Sequence, residues 1–288
     1  MQKSNPKKKI VPSQTQSRPG LEYKMQPEPE YDNELAGSNK LKGKKCIVTG
    51  GDSGIGRSVA IAFAKEGADV AIIYLTEHKD AKDTARIIQE KYSRECLLIP
   101  ADISKESHCI SALKKIISKY KSIDVLVNNA AVQYPCKSIT EIETKNLIQT
   151  FAVNILSMFW ITKVVVPVMK KGSSIINTSS VTAYRGSAEL LDYSATKGAV
   201  VSFTRSLSAN LADKGIRVNG VAPGPIWTPL IPSSFPGAKV STFGTETPMK
   251  RPGQPGEVSP SYVFLASSDS AYMTGQFLHP NGGEIING

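Results

Sequence analysis

The stretch that decides the fold is Thr49-Gly50-Gly51-Asp52-Ser53-Gly54-Ile55-Gly56. It follows the apolar strand pattern Cys46-Ile47-Val48 and opens a helical pattern that Gly67 ends. A strand, a glycine-rich turn and a helix in this order form a phosphate-binding element, because glycines let the backbone approach a pyrophosphate and the helix N-terminus offers free N–H groups. The turn therefore predicts a dinucleotide site. Its candidate cofactor-binding residues are Gly50, Asp52, Ser53, Gly54, Ile55 and Gly56.

A second signal lies further along the chain, where Tyr193 and Lys197 stand four residues apart. Side chains at this spacing share one face of a helix. An ammonium beside a phenol favours the ionised phenol, so we expect Lys197 to lower the pKa of Tyr193 from its usual value of about 10. Such a phenol can donate a proton to a carbonyl oxygen or accept one from an alcohol. Ser180 precedes this pair, in a polar turn after the apolar strand pattern 174–178.

From about residue 44 onward, strand patterns alternate with helical patterns. The predicted strands are 46–49, 70–74, 96–100, 125–128, 174–178, 217–221 and 276–279, and the predicted helices are 55–66, 80–92, 105–120, 145–166, 193–214 and 256–266. This alternation predicts the α/β class, as a single doubly wound, Rossmann-type domain at residues 42–288 with a parallel seven-stranded sheet and helices on both faces. The stretch 223–252 is rich in proline and has no clear period, which is typical of a substrate lid.

Seven elements of the chain stand in an order and at spacings that resemble the short-chain dehydrogenase/reductase family. They are the turn 49–56, Asp102, Asn128-Asn129-Ala130-Ala131, Asn154, Ser180, Tyr193 with Lys197, and Pro223-Gly224. The resemblance covers residues 42–288 and is nearest to the long-N-terminus branch of glucose/ribitol dehydrogenase-like proteins. It implies a nicotinamide cofactor and an enzyme that interconverts an alcohol and a carbonyl by hydride transfer. The small-molecule substrate stays open.

The resemblance also implies roles for single residues. Tyr193 would be the general acid or base, Lys197 would support it and bond the nicotinamide ribose, and Ser180 would bond the substrate oxygen. Asn154 would help hold a water chain that links Lys197 to solvent. Without the family, Asn154 would be expected to bond its own helix backbone, and Asp102 could cap a helix, a position for which Ser104 competes. The other implied cofactor contacts are Asp102, Ile103, Asn129, Ala130, Ala131, Thr178, Pro223, Gly224, Ile226 and Thr228.

The choice between NAD and NADP rests on the end of the second strand. An acidic residue there normally selects NAD, and a nearby arginine accommodates the 2′-phosphate of NADP. Tyr74 and Leu75 stand at this position instead and are included among the cofactor-binding candidates. Because no arginine is present, we expect NAD to be preferred, with NADP as the alternative. His78 or Lys79 could still reach a phosphate.

Half of the net charge of +10 comes from the first part of the chain, because residues 1–45 carry ten Lys or Arg and only five acidic side chains. Residues 1–41 are too rich in proline, serine and glutamine to fold alone, so we expect an extended Pro/Lys-rich arm, solvated or ordered along a neighbouring subunit. A basic cluster can bind nucleic acid, but no basic helix or zinc module accompanies this one. No nucleic-acid partner is therefore expected.

Other patterns narrow the class of protein further. The sequence shows no hydrophobic signal segment and no apolar run of transmembrane length, which predicts a cytoplasmic protein without membrane contact. The four cysteines have neither C-x-x-C spacing nor histidine partners, so no metal site is expected. Apolar residues on more than one face of the predicted helices 145–166 and 193–214 indicate an oligomer, and the family resemblance implies a homotetramer.

Two other functions compete with the oxidoreductase. Gly51-Asp52-Ser53-Gly54 resembles the nucleophile motif of trypsin-like proteases, but that mechanism needs a histidine upstream, and the first histidine is His78. The alternative that stays open is a non-catalytic nucleotide-binding regulator on the same fold. The intact set of Ser180, Tyr193 and Lys197 argues against it.

Overall fold

A computed structural model of the chain describes residues 8–286. Lys3 and Lys7, two of the ten basic residues counted in residues 1–45, lie outside these residues. The strands are β1 (Lys45–Thr49), β2 (Asp69–Tyr74), β3 (Cys96–Pro100), β4 (Val125–Asn128), β5 (Ser174–Thr178), β6 (Arg217–Val221) and β7 (Phe277–Leu278). The helices are α1 (Gly54–Lys65), α2 (His78–Tyr92), α3 (Glu106–Tyr120), α4 (Thr144–Phe151), α5 (Ser157–Val165), α6 (Thr182–Arg185), α7 (Leu191–Leu211), α8 (Leu230–Ser234), α9 (Gly237–Val240) and α10 (Pro255–Ala266).

The seven strands form one parallel sheet in the order β3-β2-β1-β4-β5-β6-β7. Successive side chains of a strand point to opposite faces. Cys46 and Val48 therefore join the core beneath α1, α2 and α10, whereas Ile47 joins the core beneath α3, α5 and α7. The predicted Rossmann-type fold is confirmed. Its strand order reverses between β1 and β4, where open α/β sheets bind ligands beyond the strand ends.

The predicted helix 145–166 is one rod with an irregular centre. α4 passes into a π-helical turn at Ala152–Leu156, which contains Asn154, and then into α5. Such turns are frequent at functional sites. The rod Thr144–Val168 is long and apolar enough to span a membrane by length and composition alone, so the expectation that no apolar run reaches this length is wrong. Half of this apolar stretch is buried inside the protein, where α4 contacts α7 and α5 contacts α3, as in a core helix.

The sequence predicts an arm that is solvated or ordered along a neighbouring subunit. In the structure, the arm packs on the domain of its own chain. Residues 8–41 run across the domain of the same chain, where Trp227 Nε1 donates to the Pro27 carbonyl at 2.8 Å. The strongest anchor is Glu22, which is fully buried and pairs with Arg57 at 2.7 Å. The arm needs no core of its own, because it completes the core of the domain.

The arm also contacts the stretch 223–252, which contains the two short helices α8 and α9 and a run of turns after α9. The backbone N–H of Gln16 donates to Pro232 O at 2.8 Å, and that of Ile10 donates to Ser241 O at 2.9 Å. The predicted lid is therefore held from outside by the arm.

Candidate active site

A cavity of about 1020 Å³ opens at the carboxyl ends of the strands. All of the predicted site residues line it except Gly56 and Asn154. The lining residues that the sequence predicts are Gly50, Asp52, Ser53, Gly54, Ile55, Tyr74, Leu75, Asp102, Ile103, Asn129, Ala130, Ala131, Thr178, Ser180, Tyr193, Lys197, Pro223, Gly224, Ile226 and Thr228. Residues that are distant in sequence meet here because each follows the end of a parallel strand or lies on an adjoining helix.

The glycine-rich turn fits the pyrophosphate of a dinucleotide. Gly50 and Gly54 have φ values of +64° and +54°, in the left-handed region that favours glycine. A Cβ at Gly54 would lie 3.0 Å from Thr228 Cγ2, so a side chain would fill the space where the turn faces the opposite wall. Gly56 has a different purpose, since its Cβ would lie 1.8 Å from Gly50 O. It allows α1 to pack closely on the turn and does not line the cavity.

Ser180, Tyr193 and Lys197 meet at one end of the cavity, and all three are buried. Tyr193 lies in the first turn of α7, and its hydroxyl is near that of Ser180, which follows β5. The Ser180 hydroxyl oxygen accepts from Thr182 N at 3.2 Å. Lys197 Nζ donates to Thr178 O at 2.8 Å and lies 5.4 Å from the centre of the Tyr193 ring. The hydroxyls and the amine are thus fixed around one point.

The electrostatics of this group differ from the expectation. Burial raises the pKa of Tyr193 to about 12, although the hydrogen bond with Ser180 acts in the opposite direction. Burial also lowers the pKa of Lys197 to about 7. The prediction that Lys197 lowers the pKa of the phenol is therefore wrong for the structure as it stands, because a buried cavity disfavours the charged form of both groups. At neutral pH the phenol is protonated and can act as a proton donor.

Asn154 is fully buried in the π-helical turn and does not bond its own helix. Its Oδ1 accepts from Val132 N at 2.8 Å, and its Nδ2 donates to Val132 O at 2.9 Å and to Thr196 Oγ1 at 3.1 Å. Thr196 Oγ1 in turn donates to Tyr193 O at 2.7 Å. Asn154 therefore ties the loop after β4 to the helix that carries Tyr193.

The end of the cavity near β2 is more acidic than the sequence indicated. Tyr74 OH is hydrogen-bonded to His78 Nδ1 at 2.9 Å, and Lys79 pairs with Asp83 at 3.0 Å. Neither His78 nor Lys79, the two residues considered for a phosphate contact, lines the cavity. Glu77, which the sequence analysis missed, lines it together with Asp52.

Asp52 and Glu77 are both buried, and burial, reinforced by the neighbouring Glu77, raises the pKa of Asp52 to about 7. Glu77 lies three residues beyond Tyr74, outside the strand-end position that the sequence reasoning considered. Asp102 also lines the cavity, but its Oδ1 accepts from Ser104 N at 3.0 Å and so caps its own loop. Within residues 8–286, no group of three or more His, Cys, Asp or Glu side chains is arranged to hold a metal ion.

The arm supplies further lining residues that the sequence gave no reason to expect. Arg18, Pro19 and Gly20 line the cavity, and the Arg18 guanidinium lies 4.7 Å from the centre of the Tyr134 ring. Two residues later, the carboxylate of Glu22 accepts from the backbone N–H of Gly54. The low hydrophobicity of the arm hid these contacts, because they depend on backbone and charged groups.

The match to known proteins agrees with this geometry. Residues 50–284 match a short-chain dehydrogenase family model that is described as enoyl-(acyl carrier protein) reductase. The chain is 56% identical to the uncharacterized oxidoreductase YhxC of Bacillus subtilis, over 99% of this chain and 100% of that protein. It is 52% identical to NADPH-dependent aldehyde reductase 1, chloroplastic, of Arabidopsis thaliana, over 94% and 96%. It is 50% identical to glucose and ribitol dehydrogenase of Daucus carota, over 96% and 97%.

Two solved structures are also similar. A short-chain dehydrogenase from Burkholderia cenocepacia in complex with NADP has a TM-score of 0.79 and 27% identity, over 85% of this chain and 98% of that one. The 3-ketoacyl-(acyl-carrier-protein) reductase of Brucella melitensis, complexed with NADH, has a TM-score of 0.75 and 31% identity, over 84% and 98%.

The chain belongs to the short-chain dehydrogenase/reductase family. It is an oxidoreductase that uses a nicotinamide dinucleotide, NAD or NADP.

Proposed function

We propose that the enzyme interconverts a small alcohol and its carbonyl, with Tyr193 as the general acid and base. The bound dinucleotide supplies or takes up the hydride. In the reductive direction, the Tyr193 hydroxyl donates its proton to the substrate oxygen, and Ser180 donates a hydrogen bond to the same oxygen. Lys197 supports the phenolate that forms, and it would bond the nicotinamide ribose. Asn154 is a positioning residue that holds α7 against the loop after β4, and the water chain expected at Asn154 remains part of the proposal.

One observation carries this proposal. The buried Ser180 and Tyr193 hydroxyls and the Lys197 amine share one cavity with the glycine-rich turn at the N-terminus of α1. A regulator that only binds a nucleotide has no use for a buried proton donor at the far end of the nucleotide cavity.

The test is an assay of a panel of polyols, sugars, aldehydes, ketones and acyl-derived carbonyls with NAD(H) and NADP(H). Absorbance of the reduced nicotinamide reports turnover. Turnover of at least one pair supports the proposal. Saturable cofactor binding without turnover of any member would favour the non-catalytic regulator.

We also propose that both cofactors work and that NAD is preferred. Glu77 supports this preference, because a carboxylate close to a 2′-phosphate is unfavourable and no arginine stands at Leu75. Asp52, whose pKa is raised to about 7, adds to the effect when it is ionised. The name of the Arabidopsis relative, NADPH-dependent, makes the opposite preference the main rival.

For the wild type, we expect kcat/KM to favour NAD by less than about tenfold. Leu75→Arg should shift the preference towards NADP by about 1–3 kcal/mol, the scale of a hydrogen bond to a charged group. A wild-type preference for NADP above a hundredfold would contradict the proposal.

Three further predictions stay proposals. The first is the division into an arm at residues 1–41 and a catalytic domain at residues 42–288, with 223–252 as the lid. The second is a homotetramer built through α4, α5 and α7. The third is a cytoplasmic location.

A further inference from the structure

Gln133 is a polar side chain in the cavity wall that the proposed proton transfer does not use. Its exposed fraction is only 4%, and its Nε2 has no hydrogen-bond partner among the described residues. Several other buried polar atoms of the described chain also lack a partner. Of the described residues with such an atom, Gln133 is the one that lines the cavity. A buried amide N–H without a partner costs about 1–3 kcal/mol, so this position calls for a ligand that accepts a hydrogen bond from it.

The position of Gln133 relative to the proton donor is fixed. The residue before it, Val132, is held by Asn154 through both its N–H and its carbonyl, at 2.8 and 2.9 Å. Asn154 is bonded through Thr196 to the backbone of Tyr193. The amide therefore stands on a segment that is braced directly against the catalytic helix.

The next residue, Tyr134, is covered by Arg18 of the arm, with the guanidinium 4.7 Å from the ring centre. Tyr134, Gln133 and Arg18 all line the cavity. This packing limits the movement of the segment towards solvent, so Gln133 cannot easily turn outward to find water.

The hydrogen-bonding capacity of the Gln133 amide indicates the group that the ligand presents to it. An amide both donates and accepts hydrogen bonds. A hydroxyl group does the same, so it is the complementary group.

We propose that Gln133 is a specificity-determining residue that recognises a hydroxyl group next to the reacting carbon. The substrate class is then the polyols and hydroxylated aldehydes or ketones, in preference to simple alkyl compounds. This inference rests on the proposed oxidoreductase function. A wall built to hydrogen-bond a substrate hydroxyl rejects the analogue that lacks it, because the buried polar group is then left unpaired.

The test compares glyceraldehyde with propanal, which have the same number of carbons and the same reacting group. kcat/KM is measured for both in the wild type, in Gln133→Met and in the matched control Gln89→Met, whose side chain is exposed on α2. We expect Gln133→Met to lower kcat/KM for glyceraldehyde by about tenfold or more and to leave that for propanal within about twofold. The control should change neither value.

An equal effect of Gln133→Met on the two substrates would overturn the inference, and so would a wild type that prefers propanal. If neither aldehyde nor any other carbonyl is reduced by the wild type, the proposed function itself fails, which is a separate result. A measurement without turnover accompanies these assays. Because Met fills a similar volume without an unpaired amide, Gln133→Met should unfold at the same temperature as the wild type or higher. A clear loss of stability would show that the amide has a structural purpose and would count against the inference.

Discussion

At the scale of single residues, Lys197 links the chemistry of the site to the stability of the fold. The residue is 1% exposed, and burial lowers the pKa of its amine to about 7 from 10.5. Between these two values the unfolded chain holds a proton that the folded protein has lost. This residue therefore makes the free energy of unfolding rise with pH across that window, and its cost to the fold is largest below pH 7.

Lys197→Met removes this cost together with the amine. We expect the variant to be inactive but more stable than the wild type at pH 7, by at least about 1 kcal/mol, with the difference shrinking as pH approaches 10. Chemical denaturation at a series of pH values measures it. Lys115→Met, on the exposed face of α3, is the control and should leave stability nearly unchanged. A difference that grows with pH would refute this account of Lys197.

The residues of the site were predictable to different degrees. Tyr193 and Lys197 could be placed together because a helix brings side chains four apart onto one face. Their pKa values could not, because desolvation depends on walls contributed by distant segments. Gln133 gave no sequence signal, since a glutamine becomes informative only when burial leaves its amide without a partner.

At the scale of elements, the arm and α1 act as one unit. The fully buried Glu22 pairs with Arg57 and accepts from the N–H of Gly54, in the turn that would hold the pyrophosphate. Arg57 also donates to Asp80 O at 2.8 Å and to Thr84 Oγ1 at 2.9 Å. The arm therefore meets the domain at the start of α1.

Glu22→Ala should destabilise the protein by about 3–5 kcal/mol, because it leaves the buried Arg57 without its closer carboxylate partner. It should also raise KM for the cofactor, since the neighbouring arm residues line the cavity. Thermal unfolding and cofactor titration measure the two effects. Glu28→Ala removes an exposed acid of the same arm and is the matched control. If Glu22→Ala and Glu28→Ala show the same stability and the same KM for the cofactor, the arm contributes neither to the fold nor to cofactor binding through Glu22.

Periodicity explains which elements could be predicted. The strands and long helices bury one or two faces, so their apolar residues repeat at 2 or about 3.6 positions. The arm has no such repeat, because Glu22 and Trp227 hold it through an ion pair and a backbone carbonyl. The π-helical turn at Asn154 was not predictable either, since one extra residue barely disturbs the apolar pattern of the rod.

At the scale of the whole molecule, the rod of α4 and α5 leaves apolar side chains on the surface. Leu147, Ile148, Leu156 and Phe159 are 36–63% exposed. The Phe159 ring lies 4.4 Å from that of the buried Phe203 on α7, so the exposed face of the rod adjoins the second helix. Such a continuous apolar face is typical of an interface between subunits.

We expect a homotetramer at micromolar concentration, and we expect Phe159→Glu to reduce it to dimers or monomers by placing a charge in the interface. Light scattering measures the mass of each species. Tyr272→Glu changes a fully exposed aromatic residue outside this face and should keep the wild-type mass. A monomeric wild type would rule out the assembly.

The central claim is that Tyr193 transfers the proton, and Tyr193→Phe tests it most directly. The variant keeps the buried ring and loses only the hydroxyl, so cofactor affinity and thermal stability should remain close to those of the wild type. Turnover of any substrate that the panel identifies should fall by at least about 100-fold. Tyr272→Phe, at the exposed position, should turn over normally. Near-normal turnover by Tyr193→Phe, with the cofactor bound as in the wild type, would contradict the account.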